Sequence, residues 1–160
     1  MEILVRSGKL LAVFAIFWIG LWAYNARGCR RIEGPEMEPT LPRDKQKFID
    51  PRVFQPSQLS PGDLVAFTYV QGSKGSRSVA ARVVGIPGDK VKIEKGEVYV
   101  NGTKADSGYV SAPNRSTEDY AEIVVPRDTV FLLCDNRRAG LALDSRAIGP
   151  VAAWAIHGKF

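Results

Sequence analysis

Apolar positions follow two unlike patterns along this chain. From Leu10 through Ala26, LLAVFAIFWIGLWAYNA, no charge interrupts an apolar run, and Trp18, Trp22 and Tyr24 gather in its second half. At ~1.5 Å per residue a helix over this run is about 25 Å long, slightly short of the ~30 Å hydrocarbon core of a bilayer, and Arg6, Lys9 and Arg27 flank it closely enough to close the gap by snorkelling. The pattern predicts one amino-terminal membrane-spanning helix. Beyond residue 30 the apolar runs are short, rich in Val, Ile, Phe and Tyr, and separated by turn signals, which predicts an all-β domain. Pro61-Gly62-Asp63 and Pro87-Gly88-Asp89 each launch a strand-like run, LVAFTYV and KVKIE. Lys95-Gly96 reads as a hairpin turn joining 91–94 to 97–100, closed by Asn101-Gly102. The stretch EIVVPRDTVFLLCD reads as two further strands split by Pro126, with 130–133 apolar on both faces and therefore central. The Gly- and Ser-rich segment QGSKGSRS, residues 71–78, predicts a mobile loop, and no segment past the anchor sustains helical periodicity.

A length of 160 residues accommodates one well-buried domain with an appendage, taken as an anchor over 1–28 and a β domain over 29–160. The net charge of +5 is spread along the chain without a basic run, so nucleic acid is excluded as the expected partner. A secretory signal peptide would share the basic start and apolar stretch, but Tyr24 or Asn25 intrudes on the small residues that cleavage requires. A lipoprotein signal ending at Cys29 meets Arg27 where a small or apolar residue belongs. An uncleaved anchor fits better than either. Arg27, Arg30 and Arg31 outnumber Arg6 and Lys9, so charge alone places the downstream end in the cytoplasm.

Cys29 and Cys134 lack any CxxC or histidine spacing, so no zinc site or disulfide framework is expected, although a single disulfide stays open. Cys134, following an apolar run, reads as a small buried hydrophobe, and Cys29 has no assigned role. No metal or cofactor is called for.

Four ordered segments then carry a resemblance. They are GPEMEPTL at 34–41, PGDLVAF at 61–67, ARVVGIPGDKV at 81–91 with the hairpin ending in VYVNG, and VFLLCDNR through DSRAIGPV over 130–151. Together they resemble the type I signal peptidases (leader peptidases, serine peptidase family S26). The resemblance implies a coil of mostly antiparallel sheets behind one amino-terminal transmembrane helix, with the domain on the extracytoplasmic side of the cell membrane, against the positive-inside reading. It also implies a serine that attacks the bond after an Ala-x-Ala signal and a lysine that takes its proton, kept neutral by burial because its ordinary pKa of ~10.4 makes it useless as a base near neutrality.

At the positions that match this dyad stand Glu36 and Ala81. A carboxylate is a poor nucleophile toward amides, and Ala81 accepts no proton. Histidine, the base of the family's eukaryotic branch, occurs here only as His157. Gly34, Met37, Pro39, Thr40, Leu41, Arg82, Asp144, Ser145 and Arg146 match and are expected to shape the site, whereas Cys134 replaces a glycine and Ala142 the supporting serine. The volume that Ala81 vacates suggests that Glu36 turns inward to meet Arg82 or Arg146, since a buried carboxylate needs a partner. Thr40, Ser78 and Cys134 as substitute nucleophiles, and Lys74, Lys90 or Lys92 as bases, show no pairing by spacing.

Three functions follow as expectations. The favoured one is an inactive homologue that binds extended signal peptides, preproteins or surface-assembly subunits, alone or beside an active paralogue or secretion machinery. The second is an active signal peptidase with a displaced pair. The third is a membrane-tethered structural domain whose groove Glu36 blocks.

Overall fold

The computed structural model describes residues 12–22, 29–31, 34–44, 46–50, 55–70, 72–105, 108–138 and 143–160. Among them the strands form three antiparallel sheets. A ribbon pairs β1 (Cys29–Arg31) with β2 (Gln46–Phe48). The central sheet is built from β3 (Leu64–Val70), β4 (Ser76–Gly85), β9 (Thr129–Leu133), β10 (Val151–Ala152) and β11 (Ile156–Lys159) in the order β10-β9-β4-β3-β11. The third sheet contains β5 (Lys90–Glu94), β6 (Glu97–Val100), β7 (Thr103–Lys104) and β8 (Tyr120–Val124) in the order β7-β6-β5-β8.

The local turn chemistry explains the third sheet. Lys95 and Gly96 have φ of 51° and 79°, and Asn101 and Gly102 have 52° and 79°. Paired positive φ values suit the two-residue turns that match the twist of a hairpin. Gly96 is also required by space, because a Cβ there would stand 1.7 Å from the Ser116 carbonyl oxygen.

β9 joins the two larger sheets, and its alternation shows how. Val130 and Leu132 point into one apolar cluster with Met37, Val65, Phe67, Val79 and Ala81, while Phe131 and Leu133 point into another with Val84, Val91, Ile93 and Val98. All four are fully buried, each contributing about 1.5–3 kcal/mol by leaving water. Phe131 meets Tyr120 edge to face at 5.3 Å between centroids. The expected central strand is therefore present, as are the runs expected at 64–70 and 90–94.

The segment 71–78 departs from expectation. A short 3-10 turn covers Gly72–Lys74, but β4 begins at Ser76, and Ser76, Arg77 and Ser78 pair with Val70, Tyr69 and Thr68. Cross-strand pairing with an apolar neighbour outweighs the local preference of Ser and Gly for loops.

At the amino terminus, residues 12–22 form helix α1, with Phe14, Trp18, Ile19 and Trp22 exposed. The described part of this helix is about 16 Å long. Among the described residues no helix is long and apolar enough to cross a membrane. Leu10, Leu11 and 23–26 of the expected span, with its flanks Arg6, Lys9 and Arg27, lie outside the described residues. The second helix, α2 (Ser145–Ile148), is a single turn capped by Asp144, whose carboxylate accepts from the Arg146 backbone N–H.

Candidate functional site

The segment 34–41 is a tight loop anchored at its middle and its carboxyl end by apolar side chains, Met37 and Leu41, that enter the larger cluster. Backbone bonds from Glu38 N to the Pro35 oxygen (3.1 Å) and from Leu41 N to the Met37 oxygen (2.8 Å) close it. The stretch after β9 holds it from behind. Asn136 donates from its backbone to the Glu36 oxygen at 2.9 Å and from its side chain to the Pro35 oxygen at 3.1 Å. Asn114 donates to the Glu38 oxygen at 2.7 Å, and Thr40 Oγ1 donates to Asp135 Oδ2 at 2.6 Å. Pro39, after a cis peptide bond, is exposed.

Within this loop the Glu36 side chain turns inward, 5% exposed, and forms an ion pair with Arg77 Nη2. Gly34 makes the arrangement possible, since a Cβ there would lie 1.9 Å from Glu36 Oε2 and 2.2 Å from Arg77 Nη2. Arg77 and Ala81 occupy alternate positions of β4 and so share one face. Ala81 is wholly buried in the apolar cluster that includes Met37, Leu132 and Cys134.

Neither expected partner of Glu36 is the actual one. Arg82 points to the other face of β4 and donates to Asp135 from Nε at 2.9 Å and from Nη2 at 2.6 Å. Its Nη1 reaches the Gly62 oxygen at 2.9 Å, and its guanidinium lies 3.9 Å over the Tyr109 ring. Hydrogen bonding to Asp135 raises the Arg82 pKa against the opposing effect of burial. Arg146 is likewise committed. It forks onto Asp144 from Nε and Nη2, both at 3.0 Å, and its Nη1 reaches Glu118 Oε2 at 2.9 Å and the Arg137 oxygen at 3.0 Å. Burial pulls its pKa down, but the bonds and charge of Asp144, with Glu118, outweigh that and raise it. With both arginines satisfied by carboxylates after or near β9, the cation left to face Glu36 comes from two pleats along β4.

Asp144 and Ser145 brace the end of β9, accepting from Cys134 N at 3.0 Å and Leu132 N at 2.8 Å. Cys134 is a free, buried thiol, so the disulfide left open by the sequence is not formed. Its pKa is driven well above the ordinary thiol value by burial, with Asp144 and Glu36 adding to the effect. Arg137 is buried, donates from Nε to the Cys134 oxygen at 2.6 Å, and has its pKa lowered by desolvation.

The substitute nucleophiles and bases are not brought together. The Thr40 hydroxyl is committed to an aspartate already neutralised by Arg82, and Cys134 is held as the thiol. Lys90 and Lys92 belong to the third sheet, where Lys92 pairs with Glu94 at 2.8 Å. Ala142 and the side chains of Lys74 and Cys29 lie outside the described residues. Arginine stays protonated at working pH, so Arg77 offers no base, and the Glu36 carboxylate that it faces is a poor nucleophile toward amides. Among the described residues no three His, Cys, Asp or Glu side chains group to hold a metal ion. Sequence reasoning missed Arg77 and Asp135. Asp135 lies inside the segment VFLLCDNR, whereas Arg77 lies in the Gly- and Ser-rich stretch 71–78, whose composition predicts a loop and carries no signal for the site.

This chain belongs to the signal peptidase family, peptidase S26, whose sequence model matches residues 4–160. It is 32% identical over 136 residues to Probable signal peptidase I-2 of Synechocystis sp. (strain ATCC 27184 / PCC 6803 / Kazusa), covering 83% of this chain and 61% of that one. It is 28% identical over 123 residues to Signal peptidase I P of Bacillus subtilis subsp. natto, covering 72% of this chain and 63% of the relative. The chain thus spans less than two thirds of the length of these relatives. Its sheets resemble the crystal structure of a signal peptidase I from Enterococcus faecalis V583, with TM-score 0.52, 25% identity, and coverage of 64% of this chain and 96% of the other.

Proposed function

We propose that this chain binds extended segments of preproteins at the extracytoplasmic face of a membrane and does not cleave them. The supporting observation is the inward-turned Glu36 carboxylate, neutralised by Arg77, beside a fully buried Ala81. On this reading Glu36 and Ala81 replace the family's nucleophile and base. What stands in their place is a fixed ion pair that neither attacks a carbonyl nor takes a proton. The surrounding loop survives this change, because Met37, Thr40, Asn136 and Asp135 hold it through contacts that do not involve the pair's chemistry. Holding a peptide in an extended conformation uses backbone hydrogen bonds and shallow pockets, which need no nucleophile. The apolar run at 10–26 supplies the tether in this account.

The test is to incubate the purified full-length chain in detergent with a signal-peptide substrate, beside its Glu36→Ser, Ala81→Lys double variant. The natural chain is expected to retain the substrate intact. Mature product from it would overturn the reading in favour of a displaced catalytic pair, and product from the double variant alone would show that the binding groove is intact.

A further inference from the structure

Four arginines surround this site, and they use their donors differently: Arg137 is buried and engages Nε on the Cys134 oxygen, out of reach of solvent. Arg82 engages Nε, Nη1 and Nη2, on Asp135 and the Gly62 oxygen. Arg146 engages the same three nitrogens and bridges two carboxylates, one buried at Asp144 and one at the surface on Glu118. Among the described residues Arg77 engages only Nη2, on Glu36. Its side chain is 33% exposed while that of Glu36 is 5% exposed, so the pair runs from a buried carboxylate to a cation that is partly open to solvent.

We infer that Arg77 is a specificity-determining residue that reads a carboxylate side chain on the bound peptide. Its Nη2 is fixed by Glu36, whose backbone oxygen is itself held by Asn136 N at 2.9 Å. The guanidinium is therefore oriented before any ligand arrives, and a planar fork held in this way suits a second carboxylate. Arg146 demonstrates the same arrangement within this chain. Tyr69 stands directly opposite Arg77 on β3 and is half-buried on the same face, packed against the larger apolar cluster. A neutral Ala-x-Ala segment leaves these donors to water; a glutamate or aspartate at the matching position engages them.

This inference rests on the peptide-binding reading, and the experiment separates the two. Fluorescent peptides containing an Ala-x-Ala segment are prepared with a single Glu walked along the chain, each with its Gln counterpart, and titrated against the full-length protein in detergent. At one position Glu is expected to bind about tenfold more tightly than Gln, with the preference shrinking as salt rises. Arg77→Gln abolishes the preference, and Arg77→Lys retains only part of it. Where Arg77→Gln does not fold, because Glu36 is left buried without a cation, the Glu36→Gln, Arg77→Gln double variant takes its place. Equal binding of Glu and Gln peptides overturns the inference while leaving peptide binding intact, as does a preference that persists without Arg77. No binding of any peptide overturns the peptide-binding reading and this inference with it.

Discussion

Gly34→Ala isolates the ion pair from everything else in the loop. Gly34 does not adopt positive φ, so alanine suits its backbone and the whole effect is steric. The new methyl would stand 1.9 Å from Glu36 Oε2 and 2.2 Å from Arg77 Nη2, both ends of flexible side chains, so the pair parts while the backbone stays. Breaking a fully buried pair costs about 3–5 kcal/mol. Arg77 is a third exposed and regains water, which reduces the cost to roughly 1–3 kcal/mol. At about 2–4 °C per kcal/mol for a domain of this size, the melting temperature falls by roughly 2–12 °C. In a Glu36→Ser background the methyl has no carboxylate to displace, and Arg77, released from its partner and a third exposed, swings aside into water, so the same substitution costs less than about 0.5 kcal/mol. Urea unfolding of the four proteins in this cycle measures the coupling, about 1–2.5 kcal/mol. An equal cost of Gly34→Ala in both backgrounds would refute the argument that Gly34 exists to seat the pair.

Other consequences can be checked in the same way. Asp135→Ala strands the nearly buried Arg82 guanidinium and the Thr40 hydroxyl, and is expected to cost about 3–5 kcal/mol against about 1 kcal/mol for Thr40→Val in the same denaturation assay. Phe131→Ala removes the ring that fills the second apolar cluster and is expected to lower stability by about 3–5 kcal/mol, with the Tyr120 environment changing in near-ultraviolet circular dichroism. Cys134 holds its proton in the folded state while the unfolded thiol ionises from about pH 8.5. Above that pH the unfolded state binds fewer protons than the native one, so stability is complete below about pH 8.5 and falls as pH rises. A Cys134→Ala variant is expected to lose that slope in pH-dependent melts, and native Cys134 to resist thiol reagents until the protein unfolds.

The strands at 64–70, 90–94 and 97–100 were legible because turn chemistry is local: the Pro-Gly-Asp and Lys-Gly signals state their own backbone geometry. The start of β4 was not, because Ser76–Ser78 become strand only by pairing with Thr68–Val70, a choice made across the sheet. The same limit governs the site. The residues of the loop 34–41 were legible in the motif, but the partner of Glu36 depends on which arginines are already satisfied. Arg82 goes to Asp135 and Arg146 to Asp144, and that competition is settled by tertiary geometry. Arg77 belongs to the same Ser76–Ser78 segment, so its place beside Glu36 is set by the same pairing across the sheet.

The most direct test of the central claim is to recover the peptide from the complex. Full-length protein in detergent is mixed with a labelled preprotein segment, separated by gel filtration, and the bound material is weighed by mass spectrometry. The account predicts co-elution of protein and peptide with the peptide at its full mass after prolonged incubation. Peptide fragments ending after the Ala-x-Ala segment, formed by the natural chain and lost on changing Thr40 or Cys134, would contradict it and assign the chemistry to a residue that the Glu36–Arg77 account leaves idle.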